Sequence, residues 1–81
     1  MFGVKDKKKE KHTMSASAVW RKGSSLATIY IDGKRASSIP VPSGVQRIDC
    51  SGSMIYLYAE HLCYLYECGT GYPRHAGFLN I

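Results

Sequence analysis

The residues with the widest chemical reach lie between positions 61 and 75. There His61, Cys63, Cys68 and His75 bring four nitrogen and sulfur donors into fifteen residues. Tetrahedral zinc takes donors of this kind, but structural sites usually place two of them two to four residues apart on a tight turn. Four residues separate Cys63 from Cys68, at the edge of that spacing. The pattern therefore does not specify a metal, and neither a metal nor another cofactor is expected.

The same side chains offer a thiol nucleophile, Cys63 or Cys68, with His61 or His75 as base. Such a pair needs a third group to orient the base and donors for the oxyanion, and the sequence supplies neither. Among the carboxylates, Asp6 and Glu10 fall in a lysine-rich N-terminus and Asp32 in a turn. Asp49, Glu60 and Glu67 form no matched acid and base. No phosphate-binding glycine loop or dinucleotide fingerprint is present. The expectation is a protein without catalysis.

A second group is aromatic. Four of the six tyrosines, Tyr56, Tyr58, Tyr64 and Tyr66, fall within residues 54–67, symmetrically about His61. On a helix they scatter around the wheel and leave apolar surface on every side, which a domain this small cannot bury. As a hairpin turning near Glu60, His61 and Leu62, the residues sort by alternation. Tyr56 then faces Tyr66 and Tyr58 faces Tyr64. Ile55, Leu57, Ala59, Cys63 and Leu65 take the opposite side, toward the core. A contiguous tyrosine face of this kind marks an interaction surface. Trp20 and Arg35 join the four tyrosines as candidate binding residues.

These side chains need a scaffold, and the clearest part of it is local. Leu26, Ala27, Thr28, Ile29, Tyr30 and Ile31 are mostly β-branched or aromatic and run into Asp32-Gly33. That dipeptide suits a type I′ hairpin turn, in which both central residues need φ > 0. The turn pairs Ile31 with Lys34, Tyr30 with Arg35, Ile29 with Ala36 and Leu26 with Ile39. Ile39 then shares a face with Tyr30, whose ring would lie under the Arg35 guanidinium. Pro40 and Pro42 end the returning strand. Further strands are read at residues 16–21 and 45–50, with a short edge strand from Phe78. Turns are read at Lys22 to Ser25, Ser43-Gly44 and Ser51 to Ser53. The expected fold is all-β, a small antiparallel sheet or sandwich of five or six short strands. An α+β fold is the alternative if residues 54–67 coil.

Charge is uneven. The chain has 81 residues and a net charge of +5, and Lys5, Lys7, Lys8, Lys9 and Lys11 crowd its start. Residues 1–13 are read as a disordered basic tail, because a charged segment poor in apolar residues cannot offset its ordering entropy. Residues 14–81 are read as the folded β-domain. No stretch is apolar for long enough to span a membrane, and no apolar segment of a secretory signal follows the basic start. The odd set of Cys50, Cys63 and Cys68 suggests reduced thiols, hence a cytoplasmic protein.

Residues 27–50 resemble the PEGA-type β-module. The shared features are a strand ending in Asp32-Gly33, a returning strand closed by Pro40, and Pro42-Ser43-Gly44 before the next strand. Ser43 stands where the module has an acidic residue and Val45 where it has alanine. The resemblance implies a small β-sandwich binding domain without catalysis.

The functional expectation is a non-enzymatic binding module. It acts through its tyrosine-rich face on a protein partner or in a homo-oligomer. The alternative is a basic protein binding single-stranded RNA or DNA, with lysines for phosphates and rings for bases.

Overall fold

The computed structural model describes residues 14–81; the basic tail read at residues 1–13 lies outside them. Seven strands run in order: β1 (Ala16–Val19), β2 (Leu26–Ile31), β3 (Lys34–Pro40), β4 (Arg47–Ser51), β5 (Met54–Tyr58), β6 (Leu62–Glu67) and β7 (Arg74–Asn80). There is no helix among the described residues, so residues 54–67 are strands. The fold is all-β, with one more strand than the upper expectation. Every pairing is antiparallel, in a three-stranded sheet β1-β2-β3 and a four-stranded sheet β4-β5-β6-β7.

The first sheet is built on its turn. Asp32 and Gly33 both have positive φ, 54° and 84°, as a type I′ loop requires. Ile31 pairs with Lys34 and Tyr30 with Arg35 as the sequence indicates. An irregularity between Ile29 and Tyr30 then shifts the register, so that Ile29 faces Ser37, Ala27 faces Ile39 and Leu26 faces Pro40. One extra residue flips all that follows. Ile39 therefore joins the buried face with Ala27 and Ile29 instead of the Tyr30 face. The Arg35 guanidinium donates to Ser38 Oγ at 3.5 Å.

The core lies between the two sheets. Ile29, Ile31, Ala27 and Ile39 from the first meet Ile55 and Leu57 from the second, with Val41, Val45 and Cys68 closing the ends. The sheets are joined along one side, where β1 lies beside β4. There the Ala16 N–H donates to the Gly52 carbonyl at 2.7 Å. Gly52 has φ 58° in the two-residue loop between β4 and β5, the first central position of a II′ turn, where glycine avoids the Cβ penalty.

Candidate functional site

The loop between β5 and β6 decides where the tyrosines go. The Ala59 N–H donates to the Leu62 carbonyl at 2.8 Å, so the loop is only Glu60 and His61. The ladder then pairs Tyr58 with Cys63, Leu57 with Tyr64, Tyr56 with Leu65 and Ile55 with Tyr66. Residues directly opposite one another share a face. No tyrosine therefore faces another tyrosine, and the four do not form one surface. The expected pairing was off by one residue, enough to exchange one strand's faces relative to the other.

Tracing the ladders across the four strands gives two rows on each face. On the side toward the first sheet, Ile48, Leu57, Tyr64 and Phe78 form one row, and Cys50, Ile55, Tyr66 and His75 the other. Burial falls along each row. Leu57 and Ile55 are fully buried, Tyr64 and Tyr66 are half-buried against the core, and Phe78 and His75 are exposed. The first sheet thus covers β4, β5 and the near side of β6, leaving β7 beyond its reach. Tyr66 meets the His75 ring edge-on at 5.3 Å, and burial raises the Tyr66 hydroxyl pKa.

The outer face carries Arg47, Tyr58, Cys63 and Leu79 in one row and Asp49, Tyr56, Leu65 and Gly77 in the next. The Arg47 guanidinium sits 4.1 Å above the Tyr58 ring and bonds Asp49 at 2.6 Å. Tyr56 and Tyr58 lie with ring centroids 6.3 Å apart. Cys63 points to this outer side, not into the core, yet it is only 2% exposed. Its burial raises the thiol pKa, with a hydrogen bond to Tyr58 acting in the opposite sense.

Beyond both rows β7 projects as a bare strand. It contacts β6 alone among the strands, and every residue in it except Gly77 is exposed. Phe78 is 60% exposed on one face and Leu79 54% on the other, and Ile81 follows them, also exposed. Large apolar side chains uncovered on both faces of an edge strand are unusual in a soluble domain. Sequence reasoning placed an edge strand here but missed its exposure on both faces. The signal was available in Phe78, Leu79 and Ile81, which period-2 alternation cannot all send to one core.

The other candidate residues lie elsewhere. Trp20 is half-buried, donates its indole N–H to the Ser24 carbonyl at 3.0 Å, and borders a cleft of about 220 Å³ with Pro42 and Gly44. None of the four tyrosines lines that cleft. Arg35 is exposed on β3. His61 stands in the loop beside Glu60, 3.8 Å away, while Cys68 is sealed in the core. Among the described residues no three His, Cys, Asp or Glu side chains are grouped to hold a metal. Burial is the main cause of the raised pKa of all three thiols, reinforced at Cys68 by Glu67 and then Cys50. This is the reverse of what an activated nucleophile needs.

Comparison with known proteins finds no family model, curated protein or solved structure that matches the chain.

Proposed function

We propose that the chain is a non-enzymatic binding module whose contact surface is the projecting wing of β6 and β7. The observation that carries this reading is the exposure of Phe78 and Leu79 on opposite faces of one strand that only β6 supports. Apolar surface left in water costs roughly 25 cal/mol per Å², which a protein contact recovers. Tyr64 and Tyr66 extend the wing on one side, and Leu65 with Tyr56 and Tyr58 on the other. The tyrosines retain a role in this reading, as two flanks of the wing and not as one face. The raised thiol pKa values disfavour thiolate catalysis and support the binding reading.

The wing's charges are Arg74 and, paired with it across the ladder, Glu67. Such a surface suits an apolar protein contact better than a phosphate chain. Single-strand nucleic-acid binding has one observation in its favour: the outer face presents Tyr58 and Tyr56 beside the Arg47 cation. Asp49 already engages that cation.

The test compares the intact chain with a Phe78→Asp, Leu79→Asp double variant, after circular dichroism shows that the variant keeps its strands. Association, followed as solution mass and as cross-linked protein adducts, is expected in the intact chain and lost in the variant. Association that survives both aspartates overturns the wing. A fluorescent oligonucleotide bound at micromolar level, with affinity falling steeply as salt rises, selects nucleic acid instead.

A further inference from the structure

The two sheets have four edge strands, and three of them are occupied or blunted. β1 and β4 lie side by side, with the Ala16 N–H donating to the Gly52 carbonyl. β3 carries Lys34 and Arg35 and ends in Pro40, the residues that discourage a further strand. β7 has neither lysine nor proline between Arg74 and Asn80, and its one register irregularity, opposite Leu65 and Tyr66, lies ahead of Gly77 and leaves residues 77–80 in regular pairing.

The backbone groups that β7 presents can be worked out from the ladder. The Ile81 N–H donates to the His61 carbonyl at 3.0 Å, and Leu79 pairs with Cys63 two residues on. Hydrogen-bonded pairs alternate in an antiparallel ladder, so Leu79 and Ile81 turn their N–H and C=O groups toward β6. Those of Phe78 and Asn80 turn outward. The opposite side of β6 agrees: the Ala59 bond to Leu62 makes Tyr64 and Tyr66 face β5, leaving Cys63 and Leu65 for β7.

We infer that a second copy of this chain pairs its β7 antiparallel with this edge, about a two-fold axis beside Leu79, fusing two four-stranded sheets into one. This rests on the wing as the binding surface and names what binds there. In that register the outward groups of Phe78 meet those of Asn80 from the other copy, and the reverse pair closes the other half. Leu79 meets its own counterpart on the outer face, and Ile81 covers the bare Gly77 of the other copy. No like charges oppose each other, because Arg74, the only charged residue of β7, lies at the far end of each strand. The occupant must supply an unpaired strand edge with apolar side chains on both faces, and β7 itself has that composition. A contact made by one strand per copy is below the size of a permanent interface, so the dimer forms and dissociates with concentration.

Sedimentation or light scattering of the full chain up to about 1 mM, the range of weak interfaces, is expected to show the mass doubling. Asn80→Pro removes one outward N–H and none that β6 uses, and is expected to restore the monomer with unchanged circular dichroism. Leu79→Asp is expected to do the same. A chain that stays monomeric throughout overturns the pairing but leaves the wing free for a different protein. A dimer that resists Asn80→Pro and yields to Leu79→Asp overturns edge pairing alone. Resistance to both overturns pairing and wing together. Should Asn80→Pro unfold, amide exchange on the unmodified chain decides. Protection of Phe78 and Asn80 must rise with concentration while Leu79 and Ile81 are protected throughout, and exchange independent of concentration refutes the dimer.

Discussion

Replacing Leu57 by alanine separates the covered part of the four-stranded sheet from its wing. Leu57 is 0% exposed, lies between Ile48 and Tyr64 in the ladders, and packs against the core residues of the first sheet. Leu57→Ala removes three carbons, worth about 2.4 kcal/mol of transfer free energy at roughly 0.8 kcal/mol each. The cavity left in a two-layer core raises the cost to about 3–5 kcal/mol. A domain of this size has a total stability of only about 3–10 kcal/mol, so the variant is expected to be largely unfolded or close to it. Leu79→Ala removes the same atoms from a side chain that is half in water, and should cost about 1 kcal/mol or less. Urea titration followed by fluorescence of Trp20, the single tryptophan, measures both. The comparison is made in dilute protein, where association does not add to stability. Similar losses from the two variants, or a loss under 1 kcal/mol from Leu57→Ala, would refute the contrast between the covered part of the sheet and its exposed wing.

Other consequences can be measured on the same domain. Gly33 has φ 84°, so Gly33→Ala should cost about 1–2 kcal/mol of unfolding free energy, read from urea titration, through left-handed strain alone. The raised thiol pKa values of Cys50, Cys63 and Cys68 mean that the unfolded chain ionises first as pH rises. Their stabilising contribution is complete below about pH 9 and is lost as pH climbs through the higher folded values, so the denaturation midpoint should hold up to about pH 9 and fall above it. A thiol reagent at neutral pH should modify the half-buried Cys50 faster than Cys63 or Cys68, which should react only at the rate of opening. Asp49→Ala should change stability by less than about 1 kcal/mol, since the Arg47 pair is half in solvent.

Local chemistry made much of the first sheet legible from sequence. Asp32-Gly33 announces its turn type because few dipeptides accept positive φ twice, and Pro40 marks the end of β3 for want of an N–H. What stayed hidden was register. A single extra residue beside Ile29 carried Ile39 to the core, and nothing in its side chains signals a bulge. The second hairpin failed in the same way: a three-residue loop and a two-residue loop at His61 both fit the sequence, yet they assign opposite neighbours to each tyrosine. Alternation fixes which residues of one strand share a side, but loop length fixes which side of the next strand they meet. The extent of the β7 overhang was hidden for another reason, although Phe78, Leu79 and Ile81 signalled that one core could not take them all. It depends on how far one sheet reaches across the other, a property of the pair that neither strand's sequence contains.

The strand pairing beneath all of this can be read directly from proton contacts in solution. Non-hydrogen-bonded antiparallel pairs bring their α-protons close, with Cα atoms about 4.5 Å apart. Strong α-proton contacts are expected between Tyr56 and Leu65, Tyr58 and Cys63, and Tyr64 and Phe78. Contacts joining Tyr56 to Tyr66 and Tyr58 to Tyr64 would restore a single tyrosine face and contradict the account.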